Sequence, residues 1–356
     1  MAAWRFHGSL LRSVSRSFYL SIRILPARLR EPVALAYLLA RTTDTVADTA
    51  RISGKLRAET LQTLSNAIQG NATRGSIDSL SPESSPVRVA HPSRSTPVGS
   101  IVDLVTSFAP LQENAHERTL LESLPRCLEW LEQLSPDDRD DIRAVLEKIA
   151  RGQTLDLQRF ENPAEIRALP TAADLDEYTF LVAGCVGEFW TRLCFRHVRT
   201  FAELGEQEML ALGKRYGMGL QLINILRDAG SDLRAGRCYF PEDELTAAGM
   251  TAAQIVREPD RFQPIYQKWA EKAKHGLAAG MQYSHAIQNR RVRAATVLPA
   301  LIGARTLALL HGAGATMLHR KIKVPRHEVR GMIASLAFTL ADRALIDGMF
   351  RRFWKL

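Results

Sequence analysis

The sequence lacks the patterns that mark several common classes of site and fold. Its four cysteines form no CxxC pair and no zinc-ligand spacing, so a reduced cytosolic setting is the default and the cysteines are expected in the core. No GxGxxG follows a strand, and P-loop, GxSxG and HExxH motifs are missing. A bound dinucleotide, if there is one, is therefore expected outside a Rossmann domain.

Long apolar runs are also missing. No stretch of 18 consecutive apolar residues occurs, and residues 1–21 have no uninterrupted apolar run of the length that a signal peptide needs. We therefore expect a soluble, cytoplasmic protein. The amphipathic N-terminus and the basic, aromatic residues 351–356 leave open a peripheral contact with the membrane face, with a frayed basic tail as the alternative.

The charge of the chain is strongly positive. The formal net charge is +9 and the pI is near 9.6, which favours acidic partners such as diphosphates, anionic lipids or nucleic acid. The arginine-rich stretch 289–293, read NRRVR, has no interleaved aromatic residues and belongs to no recognised nucleic-acid-binding module. We therefore expect no nucleic-acid partner.

Hydrophobic periodicity predicts an all-α protein. Strand signals are scarce, and apolar residues recur at intervals of three and four between Pro and Gly punctuation. The predicted helices cover 56–68, 117–134, 137–160, 175–195, 205–233, 265–284, 294–310 and 326–350.

One stretch interrupts this pattern. Ser, Pro, Thr and Gly dominate from about residue 70 to residue 100. A packed domain rarely needs a structureless loop of this length, so we predict a mobile surface insertion in a single domain that spans residues 1–356. A linker between two domains is the alternative.

Two stretches carry polar residues four positions apart. The first ladder, Asp44 and Asp48, lies in AYLLARTTDTVADT at 36–49. The second ladder, Asn224, Asp228 and Asp232, lies in GLQLINILRDAGSDLRAGRCYFP at 219–241. Residues four apart share one face of a helix, so each ladder is expected to form a polar stripe.

The residues around both ladders are mostly apolar, which predicts a position in the interior. Unpaired carboxylates at low dielectric cost several kcal/mol, so the ladders need positive charge between them. Mg²⁺ prefers oxygen ligands and is usually shared between carboxylates and the phosphates of a substrate. The pair of ladders therefore predicts a magnesium-dependent diphosphate site. For either ladder alone, a solvated helix face with arginine pairs is the alternative.

Two further segments have a functional and a structural interpretation. Arg16 and Ser17 lie in SRSF at 15–18, which fits a phosphate contact or a helix N-cap. Gly184 and Gly187 follow Tyr178 in an apolar helix, where small residues admit either an isoprenoid tail or a neighbouring helix. Helix packing is the favoured interpretation of these glycines.

In combination, four motifs resemble those of the squalene and phytoene synthase family, the head-to-head prenyl transferases. The motifs are SRSFYL at 15–20, YLLARTTDTVAD at 37–48, DEYTFLVAGCVG at 176–187 and QLINILRDAGSDLRAGRCYFP at 221–241. Their order and spacing extend the resemblance over nearly the whole chain. It implies an all-helical isoprenoid-synthase bundle, with two acidic helices facing each other across a central active-site cavity.

The resemblance also implies roles for individual residues. It implies Mg²⁺ and diphosphate ligands at Asp44, Asp48, Asn224, Asp228 and Asp232. It implies substrate contacts at Arg16, Ser17, Arg41, Gln221, Asn224, Arg227 and Arg237. It implies catalytic or first-step roles for Tyr37, Arg41, Tyr178 and Phe18. Tyr178 is the candidate for proton removal, and the ring of Phe18 is expected near the carbocations, whose charge its π face would stabilise.

The product that the resemblance implies is squalene, made from two molecules of farnesyl diphosphate with Mg²⁺ and NADPH. Residues 293–310 look most like those of squalene synthases, which keep a Pro within a helix there. Ala295 and Thr296 depart from the Phe-Cys pair of eukaryotic squalene synthases, and Ala300 from their Gln. A dehydrosqualene or phytoene synthase without the reductive step, and a non-catalytic assembly or binding relative, are the alternatives.

Overall fold

The structure is a computed structural model that describes residues 10–12, 14, 22–71, 100–339 and 341–354. It is 79% helical, which confirms the all-α prediction. Arg16, Ser17 and Phe18 lie outside the described residues, as do residues 72–99 of the predicted insertion.

The chain divides into two compact units. The first contains Arg30–Glu161, and the second contains Asn162–Leu356 together with residues 22–29. The division falls immediately after the long helix that ends at Arg159. The single domain over residues 1–356 stays a prediction.

The first unit is built from helices, the first of which begins with residues 27–29 of the second unit. Their bounds are α1 Ala27–Asp48, α2 Gly54–Ile68, α3 Ile101–Phe108, α4 Ala115–Glu122, α5 Leu124–Gln133 and α6 Pro136–Arg159. The sequence predicts one helix over 117–134, whereas the structure has two, separated at Ser123. Pro125 has no N–H to continue a helical ladder, and the Ser123 hydroxyl bonds back to the Thr119 carbonyl, so the first helix ends there.

The second unit is mostly helical and carries one small parallel sheet. Its elements are β1 Arg167–Leu169, α7 Ala172–Thr179, α8 Cys185–His197, α9 Glu206–Arg234, β2 Arg237–Pro241, α10 Glu242–Ala247, α11 Pro259–Ala286, α12 Arg290–Ala313, α13 Arg326–Phe338 and α14 Arg343–Trp354. β1 pairs with β2, with Arg167 opposite Arg237. The helix predicted over 326–350 is interrupted between α13 and α14, where Ala341 has a φ of 53°.

Glycines bring α8, α9 and α11 into contact along their backbones. A Cβ on Gly187 would lie 2.0 Å from the Gly213 carbonyl oxygen, and one on Gly219 would lie 2.6 Å from the Cα of Gly276. No side chain fits at such distances. Among the described residues, the glycines at 187, 213 and 219 therefore serve helix packing, which is the interpretation that the sequence favours for Gly187.

The buried core contains the cysteines, as the sequence predicts. All four cysteines are free and buried, which confirms the prediction from their spacing. One helical stretch among the described residues, Arg290–Leu318, is long and apolar enough to cross a membrane, with a mean hydropathy of 1.4. Half of that apolar window is buried inside the protein, and core helices of soluble proteins have the same length and composition.

Candidate active site

The first ladder lies on the one side of α1 that the first unit leaves open. Leu38, Leu39 and Val46 are fully buried on the other sides of the helix. The side chains that retain exposure from residue 37 to residue 48 recur at three and four positions. This first strip consists of Tyr37, Ala40, Arg41, Asp44, Ala47 and Asp48.

Threonines on the buried sides of α1 satisfy their hydroxyls within the helix. Thr42 donates to the Leu38 carbonyl at 2.9 Å, and Thr45 donates to the Arg41 carbonyl at 2.9 Å. Such bonds to the preceding turn allow a hydroxyl to be buried without another polar partner. Between residues 37 and 48, the polar side chains that can bind a ligand are therefore those of the first strip.

Two neighbouring helices supply polar side chains to the first strip. Arg41 donates to Glu117 of α4 at 2.6 Å and lies 3.6 Å from Asp44. Gln153 of α6 donates from Nε2 to Oδ1 of Asp44 at 2.5 Å. The guanidinium of Arg41 is therefore shared between the carboxylates of Asp44 and Glu117.

The surroundings of Asp44 change its pKa, with burial as the largest cause. Burial raises the pKa of Asp44 to about 6; Arg41 opposes the rise, and Asp48 adds to it. The side chain keeps 45% of its exposure, so one edge of the carboxylate faces solvent while protein atoms surround the rest. A cation at that open edge would stabilise the ionised carboxylate.

The second ladder lies on a similar open side of α9. Leu222, Ile223 and Leu226 are buried between the ladder positions, as their apolar character predicts. The residues of the ladder region that retain exposure form the second strip: Gly217, Met218, Leu220, Gln221, Asn224, Arg227, Asp228, Ser231 and Asp232. The strip is apolar towards the N-terminus of α9 and polar towards its C-terminus.

Each carboxylate of the second ladder has an arginine beside it. Arg227 donates through Nε to Asp228 at 3.1 Å and forms a second bond to the same carboxylate through Nη2. Arg237 lies 3.4 Å from Asp232. The amide of Asn224 donates to Gln221 at 3.3 Å. Two carboxylates and two guanidiniums therefore balance in the second strip.

A glycine turn places Arg237 beside the ladder. Gly236 follows the end of α9 with a φ of 79°, in the left-handed region that glycine adopts readily. A Cβ there would lie 2.8 Å from the Pro163 carbonyl oxygen. The chain then enters β2, whose pairing with β1 fixes Arg237 opposite Arg167.

Tyr178 lies one residue before the end of α7. Its ring stacks on Tyr239 of β2, with centroids 5.1 Å apart and an angle of 25° between the planes. A π-helical segment, Phe180–Gly184, follows immediately and joins α7 to α8. Such segments are frequent at functional sites. Tyr178 is thus held against the strand that carries Arg237.

The side chains of the two ladders fit the predicted cation. They offer carboxylate and amide oxygens, the ligands that Mg²⁺ prefers. Among the described residues, no group of three or more His, Cys, Asp or Glu side chains could hold a metal ion unaided. A cation bound by either ladder would therefore take its remaining ligands from water or from a diphosphate.

Three residues that contact the predicted site residues could not be identified from the sequence motifs. Glu117 and Gln153 lie on α4 and α6, outside every motif, and no periodicity distinguishes them from other polar residues. Tyr239 lies inside the GRCYFP segment but has no ladder spacing to mark it. Only the tertiary structure places them beside Arg41, Asp44 and Tyr178.

Comparison with known proteins identifies the family of this chain. Residues 11–328 match the family model described as squalene/phytoene synthase. The chain belongs to this family. Its members are head-to-head prenyl transferases, so the enzymatic nature that the motifs predict is supported.

Relatives within the squalene/phytoene synthase family have different products. The presqualene diphosphate synthase of Rhodopseudomonas palustris is 27% identical over 336 residues, which is 94% of this chain and 95% of that protein. The squalene synthase of Saccharomyces cerevisiae is 28% identical over 66% of this chain and 44% of that protein. A bifunctional lycopene cyclase/phytoene synthase of Pyrenophora tritici-repentis is 27% identical over 71% and 36%. The chain thus matches less than half the length of the latter two relatives.

Solved structures confirm the isoprenoid-synthase fold. The complex of TcSQS with the ligand BPH1237 has a TM-score of 0.73 at 20% identity, covering 99% of this chain and 90% of that one. A dehydrosqualene synthase in complex with a ligand has a TM-score of 0.61 at 20% identity, covering 95% and 96%. At this identity the likeness establishes the fold alone.

Proposed function

We propose that the protein is a squalene synthase that condenses two farnesyl diphosphates through presqualene diphosphate, using Mg²⁺ and NADPH. The observation that carries the proposal is the pair of strips, each combining oxygen ligands with arginine on the open side of a helix. A carboxylate ladder suits a cation, and a guanidinium suits a diphosphate. The relatives named above support the same class of substrate.

In this proposal the ladders hold the cation and the arginines hold the diphosphate. Asp44, Asp48, Asn224, Asp228 and Asp232 are the residues that would bind Mg²⁺. Bound Mg²⁺ supplies charge that stabilises a departing diphosphate. Arg41, Arg227 and Arg237, with Gln221, would bind the diphosphate oxygens through charge-assisted hydrogen bonds.

Tyr178 is the proposed proton carrier of the first half-reaction. Closing the cyclopropane ring of presqualene diphosphate requires the loss of a proton from carbon, and the Tyr178 hydroxyl would pass it to a diphosphate oxygen. Stacking on Tyr239 fixes the plane of the ring and thereby the direction of the hydroxyl. Tyr37, on the first strip, would contact the substrate beside Arg41.

An apolar surface follows Tyr178 and would receive a prenyl chain. Val182, Val186 and Trp190 follow it at intervals of four and all retain exposure, with Val186 40% exposed. Side chains of this kind keep water away from an allylic cation. Any aromatic contribution from Phe18, and phosphate contacts from Arg16 and Ser17, stay predictions because these residues lie outside the described ranges.

Ala295, Thr296 and Ala300 differ from the residues of eukaryotic squalene synthases at these positions. They offer no polar contact to a nicotinamide. The Thr296 hydroxyl donates to the Val292 carbonyl at 2.9 Å, and Ala300 is fully buried in helix packing. Ala295 retains some exposure but has no polar group. The use of NADPH therefore rests on the family resemblance.

These positions, together with one relative, favour a second candidate function. The presqualene diphosphate synthase matches this chain over nearly the full length of both proteins. An enzyme of that kind ends the reaction at the cyclopropane and needs no reductant. The first half-reaction, with the residues assigned above, is common to both candidates.

Product analysis separates the candidates. The purified protein is incubated with farnesyl diphosphate and Mg²⁺, with and without NADPH, and in parallel with geranylgeranyl diphosphate. We expect squalene only with NADPH, and two diphosphates released per squalene. Presqualene diphosphate with one diphosphate released would support the second candidate, and dehydrosqualene without NADPH would contradict both. Phytoene from the longer substrate would place the protein in carotenoid synthesis.

A further inference from the structure

Gln153 makes a direct contact with the first ladder from a separate helix. It lies on α6, which begins at Pro136 behind a Ser135 cap and runs for 24 residues. Its Nε2 donates to Oδ1 of Asp44 at 2.5 Å, while Arg41 lies on the Oδ2 side at 3.6 Å. The carboxylate of Asp44 is therefore held between an amide and a guanidinium.

The orientation of the Gln153 amide follows from this contact. An ionised carboxylate only accepts hydrogen bonds, so the NH₂ group of Gln153 must face Asp44 and the carbonyl oxygen must face away. That oxygen, Oε1, is buried and has no hydrogen-bond partner among the residues that the structure describes. Leaving such an acceptor unsatisfied is unfavourable, and native proteins rarely tolerate it.

The chemistry of the ladder indicates what donates to Oε1. Mg²⁺ keeps several of its waters when it binds one or two carboxylates, and a water on a cation is a strong donor. Carboxylates that ligate a metal are commonly oriented by hydrogen bonds from residues behind them. Gln153 offers both functions, since its NH₂ orients Asp44 and its carbonyl oxygen can accept from a water on the same cation.

We propose that Gln153 is a positioning residue for the cation bound by the first ladder. It fixes the rotamer of Asp44 through Nε2 and accepts a hydrogen bond from a cation-bound water through Oε1. This inference rests on the proposed function, because it requires that Asp44 ligates a metal ion. It adds a residue from α6 to a ladder that the sequence motifs confine to α1.

The test measures metal affinity apart from turnover. Mn²⁺ serves as the probe and is titrated by electron paramagnetic resonance into the full-length protein with inorganic diphosphate present. Gln153→Met keeps the length and helix preference of the side chain but removes both amide groups. We expect Mn²⁺ affinity to fall about 10-fold or more. The Mg²⁺ concentration for half-maximal diphosphate release should rise by a similar factor, with kcat at saturating Mg²⁺ reduced less.

Controls separate positioning from a merely structural role. Gln158→Met changes an exposed glutamine on the same helix and should leave Mn²⁺ affinity and melting temperature unchanged. Gln153→Asn keeps the amide but shortens it by one methylene, so it should not restore affinity. In an Asp44→Asn background, Gln153→Met should have little further effect, because Gln153 acts through Asp44.

The outcomes distinguish this inference from the proposed function. If Asp44→Asn abolishes Mn²⁺ binding but Gln153→Met changes it by less than about twofold, the inference is wrong and the proposed metal site stands. If Gln153→Met lowers the melting temperature with no selective change in metal dependence, its role is structural and the inference is also wrong. If Asp44→Asn leaves both Mn²⁺ binding and turnover unchanged, the proposed metal site itself fails.

Discussion

The two ladders have the same spacing, and each lies on an open side of its helix, but their arginines are arranged differently. Around the first ladder, the guanidinium of Arg41 is shared between the carboxylates of Asp44 and Glu117. Around the second, Arg227 and Arg237 each pair with one carboxylate. The first ladder therefore needs an added cation more than the second does. The second already carries the guanidiniums that a diphosphate would bind.

Neutralising either ladder is the strongest way to test this comparison. Asp44→Asn and Asp228→Asn should each lower turnover by about 100-fold or more, because each removes a charge that would hold the cation against the diphosphate. Diphosphate release from farnesyl diphosphate at saturating Mg²⁺ measures the loss. We expect Mn²⁺ affinity to fall more in Asp44→Asn, because Asp228 already shares its charge with Arg227.

Matched controls for these substitutions lie on exposed surfaces. Asp140→Asn on α6 and Glu208→Gln on α9 remove a negative charge from each unit outside the strips. Both should leave diphosphate release unchanged. Near-normal turnover of a folded Asp44→Asn or Asp228→Asn protein would refute the assignment of that ladder.

Arg237 provides a smaller test, confined to the second strip. Arg237→Gln should raise KM for farnesyl diphosphate about 10-fold, the effect of losing one hydrogen bond between charged groups, with a smaller fall in kcat. The KM of Arg237→Lys should lie between those of the wild type and Arg237→Gln, because lysine keeps the positive charge but lacks the planar guanidinium group. Arg215→Gln, an exposed position on α9, is the control. An unchanged KM in Arg237→Gln would remove Arg237 from the diphosphate site.

The smallest expected effect concerns stability without metal. The pKa of Asp44 is raised to about 6, so its favourable contribution to folding is complete below the unfolded pKa near 4 and is lost as pH rises through 6. The amide of the Asp44→Asn variant cannot ionise and avoids that loss. Because the side chain is 45% exposed, we discount the effect to about 1 kcal/mol, or roughly 1–2 °C in melting temperature for a chain of 356 residues.

Thermal melting in EDTA measures this effect. Asp44→Asn should melt above the wild type at about pH 8, and the difference should shrink towards about pH 5, where Asp44 is protonated in the folded protein. A difference that does not change with pH would show that the substitution acts through packing. Asp140→Asn should show no difference at either pH.

The fold and the ladders were predictable because both depend on short-range periodicity. Apolar residues at three and four positions define α9 to within one residue at each end, and ladder spacing places Asp44 and Asp48 on one open face. Helix interruptions at Ser123 and at Ala341 were missed because a single proline or turn outweighs a continuing apolar pattern.

The contacts that other helices and strands make with the site residues could not be predicted from one sequence. Glu117 lies 76 positions from Arg41, and Gln153 lies 109 positions from Asp44. No local rule pairs residues so far apart, since tertiary packing alone decides which polar side chains meet. The same holds for Tyr239, whose stacking on Tyr178 depends on the pairing of β2 with β1.

The backbone contacts of α9 have a consequence for how such an enzyme can evolve. Its glycines meet the main chain at four places: Gly213 lies against Gly187, Gly217 against the Ala183 carbonyl, Gly219 against Gly276, and Gly230 against the Leu318 carbonyl. Since no side chain separates the helices there, substitutions cannot gradually widen their spacing. Adaptation to longer or shorter prenyl chains must therefore occur in exposed side chains such as Val186 and Leu220, where one substitution changes the available volume while the helix axes stay fixed.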